Sequence, residues 1–193
     1  FFGLIKIFLV SGNWIFFAYG IKNTSVIVGQ LSYVPTALIV AFLGYIFLKE
    51  KLKREEIIGL ILTLVGMSII LYGSIKSQDI LSLGTPIGNI LVFLGLLSWS
   101  SYTVASRRIS NIYSPSLITF YNFIVTFVIG LFLLPLDIAL GSFHAIKISM
   151  ESILGLISLA LFSSVLFFYL YQLLIKSSSA FIASLVLYPI TIL

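Results

Sequence analysis

Cysteine is absent from the 193 residues, charged side chains make up only 9% of them, and there is a single histidine. Without cysteine there is no disulfide frame, no thiolate metal site and no thiol redox couple. An ordinary soluble domain carries roughly 25% charged residues. A chain this poor in charge cannot clothe a globule of its size in water. That excludes a soluble enzyme, a nucleic-acid binder and a disordered tail. One histidine rules out the usual His-based metal site. No H-E-x-x-H, G-x-S-x-G, P-loop or paired intramembrane aspartates occur, so no catalytic residue, metal or cofactor is expected, and no ATP-driven pump. No charged segment with a cleavage site precedes the first apolar run, so no signal peptide is read.

Apolar residues are what the chain has: 60% of the total, with 17 Phe and 10 Tyr, and a mean hydropathy of +1.20. They fall into seven segments, roughly 2–21, 26–48, 57–73, 87–106, 117–136, 152–174 and 180–193. About 20 helical residues span the apolar core of a bilayer. The expected fold is therefore an all-α polytopic membrane protein with seven visible transmembrane helices. Transmembrane strands would alternate polar and apolar, and these segments do not. Lys6 is the one charge inside a segment, close enough to its end to snorkel.

The net charge of +5 is distributed unevenly. Loops 49–56, 107–116 and 175–179 carry seven basic residues, and the alternate loops carry Lys22, Lys76 and Lys147. The positive-inside rule then places loops 49–56 and 107–116 in the cytoplasm of a protein of the plasma or inner membrane. Glu50 with Arg54 and Lys51 with Glu55 stand at helical spacing, which reads as a solvated turn and not a site.

An internal repeat is visible. Ile21-Lys22-Asn23-Thr24-Ser25 precedes Pro35 as Ile175-Lys176-Ser177-Ser178-Ser179 precedes Pro189, at a gapless offset of 154. An odd number of helices separates the copies, so the repeats should be inverted, a transporter architecture. The chain opens at Phe1-Phe2 and closes at Leu193, each inside an apolar run. The offset implies about 70 residues before it and about 35 after it, for ten helices in two fives. The expected division is 1–73 for the end of the first repeat, 74–86 for an extracytoplasmic connector and 87–193 for the start of the second.

Binding residues are sought near the bilayer midplane. Pro35 and Pro189 each lie ten residues, about 15 Å, beyond the Ser that begins their helix. Each removes a backbone donor and marks a helix break. Paired breaks in two repeats point to a binding site. Gln30 and Tyr33 stand within a turn of Pro35, Tyr188 is next to Pro189, and a buried amide needs a partner. Asn13 and Trp14 sit mid-helix. Trp99 and Tyr102 share a face, about 12 and 7 Å from Arg107 along the helix. These seven are the expected substrate-binding residues. Tyr121, Asn122 and Gln172 are weaker candidates. Gly59, Gly66 and Gly73, like Gly88 and Gly95, recur every seven residues and should mark close helix packing.

Leu48-Lys49-Glu50-Lys51-Leu52 with Gly59 and Gly66, then Gly88, Trp99, Tyr102 and Arg107, resemble the end of the first repeat and the start of the second in the drug/metabolite transporter superfamily, EamA-like branch. Ser177 to Pro189 resembles its eighth-to-ninth helix turn. The resemblance implies helices three to nine of ten. It implies a secondary transporter or exporter that moves a small neutral, zwitterionic or aromatic metabolite, amino-acid-like, or a drug, by alternating access. A nucleotide-sugar or phosphorylated-sugar exchanger of the same superfamily is the alternative, and a non-transporting receptor or scaffold is the other. The expected partners are a small-molecule substrate and the lipid bilayer, with no nucleic acid. A homodimer is the one protein partner left open.

Overall fold

In hydrocarbon every backbone N–H and C=O must find a partner inside the chain, so an apolar run becomes a helix. The computed structural model describes residues 2–24, 29, 33–76, 84–139 and 149–187. Those residues form α1 (Phe2–Asn23), α2 (Thr36–Leu48), α3 (Arg54–Lys76), α4 (Pro86–Ile109), α5 (Pro115–Ala139), α6 (Met150–Ser158), a π-helical stretch (Leu159–Leu166), α7 (Phe167–Ser177) and α8 (Ala180–Leu185), with no strand among them. Gln30, Tyr188 and Pro189 lie outside the described residues. The chain is an all-α membrane protein. Spans Pro86–Ile109, Pro115–Pro135 and Met150–Ser177 are long and apolar enough to cross a bilayer, and the last is buried within the chain only toward its C-terminal end, at Phe168, Tyr171, Gln172 and Ile175. Phe42, Phe132 and Leu156 are among the many large side chains left exposed, as lipid-facing residues must be.

The tightest junction is α1 against α4. Glycine makes it. A Cβ on Gly88 would stand 2.6 Å from the Asn23 carbonyl, and one on Gly20 would stand 2.7 Å from the Val92 side chain. At this end Thr85 N–H and Oγ1 both donate to Asn23 O, at 2.9 and 2.7 Å. Gly84 (φ 71°) turns the chain back against Thr24, in a conformation that L side chains rarely adopt.

The opposite end gathers the turn after α2, the end of α4, and the α7–α8 junction. Here α2 ends and α8 begins, so the two helices run in opposite directions. The chain turns through Tyr33, Val34 and Pro35 before α2 starts, with Thr36 N donating to Tyr33 O at 3.0 Å. Pro35 thus sits at the mouth of a helix, where its missing N–H costs nothing.

Three expectations need correction. Residues 49–53 are not helical, so the pairings of Glu50 with Arg54 and Lys51 with Glu55 do not arise through helical spacing. Lys49 adopts a left-handed cap at φ 57°, which stops α2, and α3 begins only at Arg54, where Glu56 accepts from Lys53 N at 2.7 Å. Gly59 and Gly66 do not pack closely: a Cβ on either meets nothing within 4 Å. Their periodicity is real, but no described helix lies against it. Residues 152–174 are not one regular helix either. The π-helical stretch widens the turn at 159–166, with neither Gly nor Pro to announce it.

Candidate functional site

Six segments meet at mid-span around a cavity of about 510 Å³. Asn13, Trp14 and Phe17 of α1 form one wall and Trp99 of α4 another. Tyr33 enters from the turn before α2, and Phe162, Ser163, Phe167 and Phe168 come from the π-helical stretch and α7. Leu187 also lines it. Seven of these ten are aromatic, and none is charged. Phe17 meets Tyr33 edge to face at 5.3 Å, and Trp99 meets Phe168 the same way at 5.9 Å. Trp14 stands 6.4 Å from Phe168 and leaves about half of its surface open. Edge-to-face rings hold each other's orientation, so the walls are set before any solute arrives.

The polar feature of the cavity is built from three elements. Asn13 Nδ2 donates to Tyr33 Oη at 2.5 Å and to the Gly95 carbonyl at 2.9 Å. Both amide hydrogens are consumed, which locks the side chain. The carbonyl is reachable because α4 has glycine there: a Cβ on Gly95 would sit 3.4 Å from Tyr33 Oη. Tyr33 accepts from Asn13 and keeps its own O–H to donate. Ser163 adds a second hydroxyl at the wall.

Below Trp99, toward the Arg107 end, the space is filled. Tyr102 Oη accepts from Asn122 Nδ2 at 2.7 Å and from Gln172 Nε2 at 2.5 Å. Thr103 Oγ1 and Tyr171 Oη lie 2.8 Å apart. Tyr102, Thr103 and Gln172 are wholly buried. A buried polar donor costs free energy unless paired, and the two amide nitrogens join α4, α5 and α7 through the Tyr102 oxygen, while Asn122 Oδ1 and Gln172 Oε1 have no hydrogen-bond partner among the described residues.

The structure thus brings together Asn13, Trp14, Tyr33 and Trp99 at one cavity. Tyr102 does not reach it and belongs to the packed layer beneath, together with the weaker candidates Asn122 and Gln172. Tyr121 is exposed. Phe162, Ser163, Phe167 and Phe168 had no sequence signal, since an aromatic run looks the same facing lipid or a cavity. Among the described residues no group of His, Cys, Asp or Glu could hold a metal ion.

At the far end, Arg107 Nε donates to Glu50 Oε1 at 3.0 Å, and its Nη1 donates to the carbonyls of Ile175 and Lys176, each at 3.0 Å. Glu50 Oε2 accepts from Ala180 N at 3.3 Å.

The sequence model of the EamA-like transporter family matches residues 86–193, more than half of the chain. Among curated proteins, "uncharacterized transporter YyaM" of Bacillus subtilis is 31% identical over 124 residues, 64% of this chain and 39% of YyaM. "Uncharacterized transporter YetK" of the same organism is 29% identical over 160 residues, 79% of this chain and 46% of YetK. "Protein RarD" of Escherichia coli is 30% identical over 89 residues, 46% of this chain and 29% of RarD. The chain therefore spans less than half the length of these relatives. No solved structure matches it significantly.

Proposed function

Because the chain belongs to the EamA-like transporter family, we propose that it forms part of a secondary transporter or exporter that moves a small neutral, zwitterionic or aromatic solute, amino-acid-like or drug-like, by alternating access. It is an integral membrane protein, and the relatives carry the name transporter. The solute class, the mechanism and the residence in the cell membrane are our reading. So are the ten-helix inverted repeat and the cytoplasmic placement of loops 49–56 and 107–116.

One observation carries the reading: the described lining of the mid-span cavity is aromatic on most sides, uncharged, and fitted with one locked amide–phenol pair. Rings of Trp14, Trp99 and Phe168 would take the flat or apolar part of a solute by stacking. Tyr33 Oη and Ser163 Oγ would orient its polar part. A phosphorylated sugar would need Arg or Lys at depth, and the described lining has neither, which favours the uncharged class. A scaffold has no use for such a cavity.

The test is the full-length protein in liposomes, against a panel of amino acids, aromatic amines and phosphorylated sugars. An amino acid or aromatic solute should move, and Asn13→Ala and Tyr33→Phe should each slow it while the protein still reaches the membrane. Full transport in both variants would overturn the site. Transport of the phosphorylated sugars alone would overturn the solute class.

A further inference from the structure

The Glu50–Arg107 pair does something that neither residue could do as a surface charge. Arg107, in the last turn of α4, reaches three partners at 3.0 Å: the Glu50 carboxylate and carbonyls at the end of α7, those of Ile175 and Lys176. Those carbonyls have no partner within their own helix. Glu50 turns its other oxygen to the first N–H of α8, at Ala180. One ion pair therefore joins the α2–α3 turn, the end of α4 and the α7–α8 junction. The left-handed cap at Lys49 (φ 57°) turns Glu50 toward the bundle, at the conformational cost that a non-glycine residue carries there. The side chains of Arg107 and Glu50 are 25% and 27% exposed, and a gap of about 440 Å³ beside them, lined by Lys51, Lys53 and Ser178 among others, opens to water. The pair is thus reachable and breakable.

Its position matters. Trp99 at the cavity floor and Arg107 lie eight residues, about 12 Å, apart on α4. The inward side between them is packed: Tyr102, Thr103, Ser106, Gln172 and Ala183 are all wholly buried. We propose that Glu50 and Arg107 form the latch that holds the cavity closed at this end, tying the first repeat, through the α2–α3 turn, to the second. The proposal rests on the transporter reading above and adds its gating residues. An element with two arrangements is biased by whatever contact exists in only one of them. The latch is such a contact, because α2 and α8 cannot separate at this end while Glu50 holds both Arg107 and Ala180.

The experiment reads closure without any solute. A cysteine replaces Ala183 in the full-length protein, freed of other cysteines, in inside-out membrane vesicles. An impermeant thiosulfonate is added on the side of the Glu50 turn. Glu50→Gln and Arg107→Gln should each raise the labelling rate about tenfold, the scale of one coupling contact. Arg107→Lys keeps the charge but cannot grip the carboxylate and two carbonyls together, and should raise it by a smaller factor. It also serves if the neutral variants fail to reach the membrane. Labelling at the parent rate in Arg107→Lys and in the neutral variants that assemble overturns the latch. That result would leave the cavity reading standing, and failure of the cavity variants in transport would leave the labelling result standing.

Discussion

Replacing Tyr102 with Phe removes one oxygen and strands two amides. The Asn122 and Gln172 side chains donate to that oxygen at 2.7 and 2.5 Å, from α5 and α7. Both are buried, at 3% and 0% exposure, so water cannot replace the lost acceptor. In a soluble core each stranded donor costs about 1–3 kcal/mol. Between membrane helices, measured couplings average about 0.6 and reach about 1.7 kcal/mol, because the unfolded helices also find partners. Two such bonds put the cost of Tyr102→Phe at about 1–3 kcal/mol. Gln172→Met keeps the length of the side chain and removes one of the two donors. Once the phenol is gone, that substitution should cost less than it does in the parent, because it relieves a stranded group. The assay is reversible unfolding of the full-length protein in mixed micelles, followed by tryptophan emission. Trp99 is a near reporter, with its ring 5.4 Å from that of Tyr102. A cycle of the two single variants and the double variant should give a coupling of about 0.6–1.7 kcal/mol. Strict additivity, with no coupling, would refute the bridge and with it the account of why this layer is sealed.

Three further outcomes are expected. Gly88→Val should abolish assembly of α1 on α4, read as loss of a monodisperse peak, since the added Cβ meets the Asn23 backbone at 2.6 Å; Gly59→Ala, with nothing within 4 Å, should change stability by less than about 0.5 kcal/mol. Lys49→Gly should stabilise the protein by about 1 kcal/mol in the same unfolding assay, because glycine occupies the left-handed region without the steric cost lysine bears at φ 57°. Single cysteines at Lys53 and Lys76 should label from opposite sides of the membrane with an impermeant reagent, and labelling of both from one side would overturn the proposed topology.

Much of the candidate site was legible because its chemistry is rare in its setting. Asn13 is an amide in an apolar helix, and Trp14 and Trp99 are bulky rings far from a segment end. Tyr33 stands two residues before a proline. Each departs from a background of Leu, Ile and Phe, and all four line the cavity. Phe162, Phe167 and Phe168 were not legible, since they are chemically identical to the phenylalanines that face lipid. Which face of a helix looks inward is decided by its neighbours, and a helix apolar all round carries no stripe to read. Ser163 was hidden further, because the π-helical stretch changes the register that helical periodicity assumes.

What the sequence by itself determined is everything that follows from solvent. Few charges, long apolar runs and the backbone's need for internal partners dictate transmembrane helices, and the basic loops mark which turns belong together. Residues of the loops read as 49–56, 107–116 and 175–179 do meet at one end of the bundle, where Arg107 bonds Glu50 and the carbonyls of Ile175 and Lys176. Only the tertiary structure decided what the polar groups do. Tyr102 shares a helical face with Trp99, yet one lines the cavity and the other closes the layer below it, because Asn122 and Gln172 arrive from helices 20 and 70 residues away. Glu50 read as a solvated charge near Arg54, and its partner is Arg107, 57 residues on. A charge or an amide takes the partner nearest in space, and in a bundle of long helices that partner is set by packing.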